Sequence, residues 1–364
     1  MEFIELANLE EGMVLSEDII NSNGIVILSE ETKLTKRNIF MLENLGIRSV
    51  PIKSDDPLNG IANEANRQFE EELREDLRLR EEQNKKLKLI YDDTVDSFKN
   101  IYASSKEGKK VDIKKINQLM EPVLSYTFQN HDILSTFTAL NEQLGEYTYK
   151  HCINVGLFSS MIGKWMGFEE DKMKELAVAG VLHDIGKSKT PPEIINKPGR
   201  LTNEEFLIIQ NHPQDGYDLI KDIPDIPEAV KLAVYQHHEK IDGSGYPNRL
   251  KREQIHLYSK IVSVADVYDS LTSVRSYKKS ICPFKVYEML FDMSTNHLDY
   301  FIVSTFIKNL SNYFVGTYLR LTNGQRAKIV MINKNVISRP LVINEDKEYI
   351  DLSKNYNISI EEML

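Results

Sequence analysis

Apolar and polar positions follow different periods along the chain, and each period predicts a class of structure. Near the amino terminus, residues 24–28 read as a short strand after a turn. Thr35 can cap a helix that runs to about Leu45, because its hydroxyl can accept from the first helical amides. Residues 47–52 read as a second strand. The pattern over residues 1–60 therefore predicts a small mixed α/β unit, with regulation and simple packing both open as its role.

Residues 61–91 are dense in both charge signs and almost free of glycine and proline. A thin apolar stripe runs through this segment at helical spacing. It consists of Phe69, Leu73, Leu77, Leu87 and Ile90. The pattern predicts a charged linker helix with two open interpretations. The helix either pairs with a second copy in a homodimer or lies solvated on its own domain.

Helical periodicity then continues through residues 92–310, and the pattern changes to short strands over residues 311–364. Thr202 and Glu205 form a capping box that opens one helix, and Pro227 suits the first turn of the next. An Asn-Gly turn joins two strands between residues 318 and 332, and further strands are predicted at 341–343 and 349–350. The fold class is therefore mainly α, with a helical bundle core, a mixed amino-terminal unit and a β-rich carboxy-terminal extension.

Composition narrows the classes of partner and compartment. The 364 residues carry a formal charge of −10, which gives no general attraction to nucleic acid or to an anionic membrane. No signal peptide is visible at the start, and no apolar run approaches the length of a membrane span. Only Cys152 and Cys282 occur, too few for a disulfide framework. These features predict a cytoplasmic protein with neither nucleic acid nor membrane as a partner.

The chemical signal lies in the distribution of histidine and aspartate. His183 and Asp184 are adjacent in an apolar stretch predicted to be a helix, where buried charge is costly unless it is paired or bound to metal. Side by side they can serve two ions, with the carboxylate as the bridge. Lys187 lies one turn further, where a cation suits an anionic ester. His237 and His238 stand together before a loop rich in glycine and proline.

Three more polar residues interrupt apolar helical patterns. Asp266 lies in an otherwise apolar helix, His212 precedes Pro213, which prevents a regular helix, and His151 lies within a further helix. Five histidines and two aspartates in such positions predict a metal centre. Imidazole and carboxylate ligands together suit iron, manganese or zinc better than magnesium, and the absence of clustered cysteine argues against a structural zinc site.

Several separated motifs then resemble one known family. They are HDIGK at 183–187, HHEKIDGSGYP at 237–247 and VADVYDSLTSVRSYK at 264–278, accompanied by KPGRLTNEEF, NHP and YTYKHCINV. Together they resemble the HD-GYP subgroup of the HD-domain phosphohydrolases over about residues 92–310. The resemblance implies an all-α HD-domain bundle. It also implies a phosphodiesterase that opens cyclic di-GMP to pGpG and onward to GMP, or in some members acts on cyclic GMP-AMP, by a metal-activated hydroxide.

The resemblance also implies roles for individual residues. Lys187 corresponds to the lysine beside the scissile phosphate, and Asp184 would bridge two ions, usually iron or manganese. The implied metal ligands are His151, His183, Asp184, His212, His237, His238 and Asp266. The implied substrate contacts are Lys187, Asp269, Arg275, Lys278 and the loop Gly245, Tyr246 and Pro247.

One departure from the family pattern bears on the number of ions. Members with three metals place a glutamate one helical turn before the first histidine ligand. Here Tyr147 occupies that position, and Glu146 is displaced by one residue and turned about 100° away. The sequence therefore predicts two divalent ions.

Two functions from other classes stay open beside this prediction. The first is a non-catalytic cyclic di-GMP receptor that signals through the amino-terminal unit, which the seven intact ligands argue against. The second is an HD phosphohydrolase for another nucleotide, such as cyclic GMP-AMP, a deoxynucleoside triphosphate or guanosine tetraphosphate. Arg275, Lys278 and the intact GYP loop argue against the last two substrates.

Overall fold

The protein is described here from a computed structural model. It describes residues 2–20, 26–45, 47, 49–53, 57–129, 147–195, 197, 199–273 and 281–364. The chain divides into two compact units, Met1–Glu72 and Leu73–Leu364. The predicted boundaries after residues 60, 91 and 310 stay predictions.

The first unit contains short strands and one helix. Its strands form two antiparallel pairs, β1 with β4 and β2 with β3. The elements are β1 Glu2–Glu5, β2 Ile19–Ile20, β3 Val26–Leu28, α1 Lys36–Asn44 and β4 Ser49–Ile52. The backbone amide of Asn38 donates to Thr35 Oγ1 at 3.3 Å, as the predicted helix start requires. The first two residues of the predicted strand 24–28 lie outside the described residues.

Helix α2 runs from Pro57 to Lys106 and contains the charged segment. In its carboxy-terminal half, Leu87, Tyr91, Val95 and Phe98 are buried in the main hydrophobic core of the second unit. Their spacing of three or four residues places them on one face. This half of α2 therefore lies on its own domain, and pairing with a second copy stays a prediction.

The remaining helices build the second unit around one core. They are α3 Ile113–Gln129, α4 Tyr147–Trp165, α5 Glu170–Leu182, α6 Pro192–Ile195, α7 Asn203–Gln210, α8 His212–Ile220, α9 Glu228–Gln236, α10 Leu257–Thr272, α11 Pro283–Met293 and α12 Tyr300–Leu310. The predicted capping box of α7 is present, with Thr202 and Glu205 each accepting from the other's backbone amide. Pro227 precedes α9 as its N-cap. The helical core confirms the predicted fold class.

Helices α4 and α5 pack closely because each has a glycine at their contact. A Cβ atom added to Gly180 would lie 2.5 Å from Gly156 Cα and 2.6 Å from the carbonyl oxygen of Val155. No side chain fits at that distance. The close approach brings His151, near the start of α4, beside His183, which follows α5; their ring centroids are 5.1 Å apart.

The carboxy-terminal extension is a five-stranded antiparallel sheet of order β8-β7-β6-β5-β9. Its strands are β5 Tyr318–Leu321, β6 Arg326–Met331, β7 Leu341–Asn344, β8 Tyr349–Asp351 and β9 Ile360–Met363. Gly324, with φ +87°, makes the predicted turn between β5 and β6. Leu319 and Val342 belong to the same hydrophobic core as the helices. Within the described ranges, no helix combines the length and hydropathy that crossing a membrane requires.

Candidate metal centre

The chain leaves α-helical geometry between His183 and Asp184. Helix α5 ends at Leu182, His183 is its C-cap, and Asp184 has φ −102° and ψ 9°. A 3-10 helix, Ile185–Lys189, follows. The prediction that one helix continues through Asp184 is therefore wrong. The break turns the carboxylate away from its helical direction and brings Lys187 Nζ to 2.5 Å from Asp184 Oδ2.

The seven predicted metal ligands come together in two groups. In each group, the candidate ligand atoms all lie within 4.8 Å of one another. The first group consists of His151, His183 and Asp266. The second group consists of Asp184, His212, His237 and His238. Their side chains come from the ends or interiors of separate helices, so only the tertiary fold brings them together.

Asp184 lies between the two groups and presents one oxygen to each. Its Oδ2 lies 3.3 Å from His183 Nε2 and 3.7 Å from His151 Nε2. Its Oδ1 lies 3.2 Å from His212 Nε2 and 3.9 Å from His237 Nε2. A carboxylate in this position can contact an ion in either group without moving.

Three of the histidines are oriented by their own backbone. In each, Nδ1 lies within hydrogen-bonding distance of the carbonyl oxygen three residues earlier, which selects the tautomer whose Nε2 carries a lone pair. The pairs are His183 with Gly180 at 2.6 Å, His212 with Ile209 at 2.6 Å and His237 with Val234 at 2.8 Å. This arrangement is typical of metal-binding histidines.

His151 is oriented by a side chain instead. Its Nδ1 lies 2.7 Å from Asp269 Oδ2, and Asp269 Oδ1 accepts from Asn154 Nδ2, also at 2.7 Å. Asp269 is 1% exposed, so the contacts observed for this predicted substrate residue are with a candidate metal ligand. Asn154 was not singled out from the sequence. The sequence feature that could have identified Asn154 is its position three residues after His151, which places a polar side chain on the same face of an apolar helix.

Tyr147 and the GYP loop border the two groups. The Tyr147 ring stacks on His151 at 5.3 Å between centroids, and Glu146 lies outside the described residues. The Tyr246 ring lies 4.7 Å from that of His238. Pro247 follows Tyr246 in a cis peptide bond.

Two buried features hold the GYP loop against the second group. Both oxygens of the buried Glu239 accept backbone hydrogen bonds, from Asn248 at 2.6 Å and Leu250 at 2.8 Å. At Gly245 a Cβ would lie 2.5 Å from the carbonyl oxygen of His238, so only glycine fits. Glu239 was also not predicted as a site residue.

Charge and burial set the protonation of the cluster. Burial would raise the pKa of Asp184, but His183 and Lys187 outweigh it and hold that pKa well below its usual range. Burial would lower the pKa of Lys187, and Asp184 reverses this and raises it. Asp184 is therefore a carboxylate and Lys187 a cation in close contact.

The pKa of His151 in the first group shifts in the opposite direction from the pKa values of the three histidines in the second group. Burial lowers the pKa of His212, takes that of His237 well below its usual range and lowers that of His238 to about 3. Burial would do the same to His151, but hydrogen bonds with Asp266 and Asp269 outweigh it and raise its pKa to about 9. The second group therefore presents neutral imidazoles, the form that binds metal.

The donor set fits a divalent metal. Within the described part of the chain, His183 Nε2 and Asp184 Oδ1 are buried and make no hydrogen bond, although both point into the centre. Buried polar atoms without a partner are rare, and here they are lone pairs available to an ion. The predicted phosphate contacts Arg275 and Lys278 lie outside the described residues.

The buried histidines and aspartates thus supply the side chains that a divalent metal site needs. Residues 133–302 match the family model described as the HD domain. This part of the chain is thus similar to HD domains, and the predicted resemblance to the HD-GYP subgroup is confirmed.

Known proteins with similar sequences or folds agree with this assignment. A cyclic di-GMP phosphodiesterase of Pseudomonas aeruginosa is 31% identical, over 62% of this chain and 54% of its own length. A 3'3'-cGAMP-specific phosphodiesterase of Vibrio cholerae is 33% identical, over 46% and 39%. The chain thus spans about half the length of the curated relatives it matches. A solved HDG"Y"P protein of Bdellovibrio bacteriovorus has the same fold, with a TM-score of 0.51 and 15% identity over 84% of this chain and 97% of its own.

Proposed function

We propose that the protein is a phosphodiesterase that hydrolyses cyclic di-GMP to pGpG or GMP with two divalent ions, iron or manganese. The observation that carries this proposal is the position of Asp184, with one carboxylate oxygen facing each of the two ligand groups. The first group would hold one ion and the second group the other, with Asp184 shared. When bound, such a pair supplies an activated water and stabilises charge on the phosphoryl group.

The residues around Asp184 account for recognition of a phosphate diester. Lys187 Nζ contacts Asp184 Oδ2, and its side chain is still 25% exposed, so it can donate to a phosphate oxygen beside the ions. A fixed cation there neutralises charge that develops on the phosphoryl oxygens. Arg275 and Lys278 stay the predicted further phosphate contacts. They explain how a chain of charge −10 can bind an anionic substrate.

The GYP loop is the proposed wall of the substrate pocket. Glu239 holds the segment that follows Pro247, and the Tyr246 ring lies against His238. Gly245, Tyr246 and Pro247 would thus present a rigid surface to the nucleotide. The cytoplasmic location and the homodimer predicted from the sequence belong to this proposal as well.

Cyclic GMP-AMP is the second candidate substrate. The resemblance to a 3'3'-cGAMP-specific phosphodiesterase, at 33% identity, favours it as the alternative. Both molecules are cyclic dinucleotides with the same phosphodiester chemistry. The proposal names cyclic di-GMP first because the Pseudomonas aeruginosa relative, which matches a longer part of the chain, carries that activity in its name.

The test is turnover by protein purified without oxygen and loaded with manganese or iron. Cyclic di-GMP, cyclic GMP-AMP and guanosine tetraphosphate are supplied separately, and the products are identified by chromatography. We expect cyclic di-GMP to be hydrolysed fastest, and replacement of both His183 and Asp184 by alanine to abolish hydrolysis. The matched control replaces Asp218 and Lys221, a partly exposed ion pair at 2.7 Å on α8.

Three results would contradict the proposal. Full turnover by the His183→Ala/Asp184→Ala variant would refute the site. Tight binding of cyclic di-GMP by the metal-loaded protein without any product would identify a receptor. Faster hydrolysis of guanosine tetraphosphate than of cyclic di-GMP would assign the protein to another class of HD phosphohydrolase.

A further inference from the structure

A chain of buried hydrogen bonds leads from the first group to helix α2. His151 Nδ1 and Asp269 Oδ2 are 2.7 Å apart, and Asn154 Nδ2 donates to Asp269 Oδ1 at 2.7 Å. Tyr91 OH then donates to Asn154 Oδ1, again at 2.7 Å. None of the four side chains is more than 3% exposed.

The direction of every hydrogen bond in this chain follows from the carboxylate. A carboxylate only accepts, so Asn154 must turn its NH2 group toward Asp269. The amide oxygen of Asn154 then faces Tyr91, and the tyrosine must donate. Tyr91 OH also lies 3.3 Å from the carbonyl oxygen of Lys150, but its single proton serves the shorter contact.

The same logic applies at the other end of the chain. Because Asp269 Oδ2 accepts, His151 Nδ1 must carry the hydrogen. When His151 binds an ion, the lone pair is then on Nε2, the nitrogen that faces Asp266 at 3.2 Å and Asp184 at 3.7 Å. A ring held in this way is oriented for a metal before the ion arrives.

We propose that Tyr91 and Asn154 are positioning residues for the metal ligand His151, and that α2 is therefore part of the metal centre. The inference rests on the proposed function, in which His151 binds one of two ions. Among the described residues, α2 contributes none of the candidate ligands. Its contribution is the Tyr91 hydroxyl, fixed by a face that also buries Leu87, Val95 and Phe98.

Loss of that hydroxyl has a defined consequence. In a Tyr91→Phe variant the phenylalanine ring would fill the same space, so the core would keep its packing. Asn154 Oδ1 would lose the hydrogen bond from Tyr91 in a buried position, where loss of a hydrogen bond to an amide oxygen is unfavourable. The amide would then shift toward other donors and loosen Asp269, and through it the orientation of His151.

The experiment compares Tyr91→Phe with Tyr258→Phe in the 364-residue chain. Tyr258 is also buried and its hydroxyl donates to Glu175 at 2.7 Å, outside this chain of hydrogen bonds. Manganese affinities are measured by competition with a fluorescent chelator. Tyr91→Phe should weaken the binding of one of the two ions by about 10-fold. This is the lower end of the effect of removing a hydrogen-bond partner of a metal-binding histidine. Tyr258→Phe should weaken neither.

The same Tyr91→Phe change, made in two variants that each lack a candidate ligand of one group, identifies the ion whose binding it weakens. In a His237→Ala background, which disables the second group, Tyr91→Phe should still weaken the remaining ion by about 10-fold. In a His183→Ala background, it should leave the remaining ion unchanged. Asn154→Ala should act at the same ion as Tyr91→Phe and more strongly. Thermal unfolding in excess chelator reports any change in general stability.

The outcomes separate this inference from the proposed function. Wild-type protein that binds no manganese would refute both. Wild-type protein that binds two ions, with both affinities unchanged in Tyr91→Phe, would overturn only the inference. Equal weakening of both ions, with a lower unfolding temperature in chelator, would also overturn it, because Tyr91 would then be a structural residue alone.

Discussion

The two ligand groups differ in how one of their histidines, His151, is oriented. In the second group, His212 and His237 are oriented by carbonyl oxygens three residues earlier in the chain. In the first group, His183 is oriented in the same way by Gly180, but His151 is oriented by Asp269, which lies 118 residues further along on another helix. One arrangement is local, and the other exists only when helices α4 and α10 are correctly packed.

This difference determines what each group is sensitive to. A carbonyl three residues earlier accompanies its histidine wherever the segment moves, so the ring orientations of His212 and His237 are kept when helices shift slightly. The first group depends on distances between α2, α4, α5 and α10. We therefore expect changes in the packing of α4 against α5 and α10 to affect the first group more than the second, while changes at Asp184 affect both.

The largest effect is expected at Asp184, the residue that the two groups share. Asp184→Asn keeps the size of the side chain but removes its charge and one acceptor oxygen. Each ion should bind at least 100-fold more weakly, since even an outer partner of a ligand contributes about 10- to 100-fold. Chelator competition measures both affinities. Asp222→Asn, at an exposed position after α8, is the control. Retention of one ion at full affinity would show that the groups do not share Asp184.

The second largest effect is expected from variants that each lack one candidate ligand, because each should remove the ion of one group only. His183→Gln removes a ligand of the first group, and His237→Gln removes one of the second. Each variant should bind one ion in place of two, because the oxygen of Asp184 that faces the intact group is unchanged. Metal content after gel filtration measures the stoichiometry. If either variant loses both ions, the two groups do not bind their ions independently of one another.

Much of the fold followed from chemistry that is local in sequence. The capping box at Thr202, the break before Pro213 and the Asn-Gly turn at Gly324 each depend on a few neighbouring residues, and the structure contains all three. Strand β9 was not predicted, because its residues Ile360–Met363 carry little alternation and pair with β5 about 40 residues earlier.

The candidate metal centre also has parts that the sequence predicted and parts that it did not. The seven candidate ligands were indicated by polar residues that interrupt apolar helical patterns, and the resemblance to a family then assigned them as metal ligands. The helix break at Asp184 was missed, because its apolar surroundings read as continuous helix. Tyr91 and Asn154 were missed as well. Their roles depend on contacts across 63 and 115 residues, and the spacing of Asn154 from His151 was the one local signal.

A change in the packing of α4 against α5 should affect the metal affinities of the two groups to different extents, with a smaller effect than loss of a candidate ligand. In Gly180→Ala, the new methyl group would lie 2.5 Å from Gly156 Cα, so the helices must move apart. Overpacking of this kind costs about 1–3 kcal/mol, more than the gain of helix propensity from replacing glycine. The unfolding temperature should fall, and the first group should bind its ion several-fold more weakly. The second group should be affected less, because Asp184 is the one member of that group that directly follows α5.

The matched control for this packing change is Gly163→Ala, which lies on the same pair of helices. There the added methyl group would meet Leu176 Cδ1 at 2.6 Å, a side-chain end that can rotate away. Stability should stay the same or rise, because alanine favours the helix. Equal effects of both variants on metal affinity would mean that the Gly156–Gly180 contact has no special part in the first group.

The smallest effect is expected at the start of α10, the helix that carries Asp266 and Asp269. His256 caps this helix, and its Nδ1 accepts from the backbone amide of Tyr258 at 3.1 Å. Burial and the nearby Lys260 lower the pKa of His256 in the folded protein. Folding therefore favours the neutral ring. The stability from this cap is complete above the ordinary pKa of about 6.5 and is lost as the pH falls through the lowered value.

His256→Asn isolates that contribution, because asparagine caps helices well and does not titrate. Between pH 7.5 and 5, the unfolding temperature of the wild type should fall by up to about 2 °C more than that of the variant, since His256 is half-buried and its cap is a single contact. Metal affinities at pH 7.5 should be equal in the two proteins. Parallel pH curves would exclude His256 as a source of acid sensitivity. A weaker first-group ion in His256→Asn would instead show that this group depends on α10 as far as its first turn.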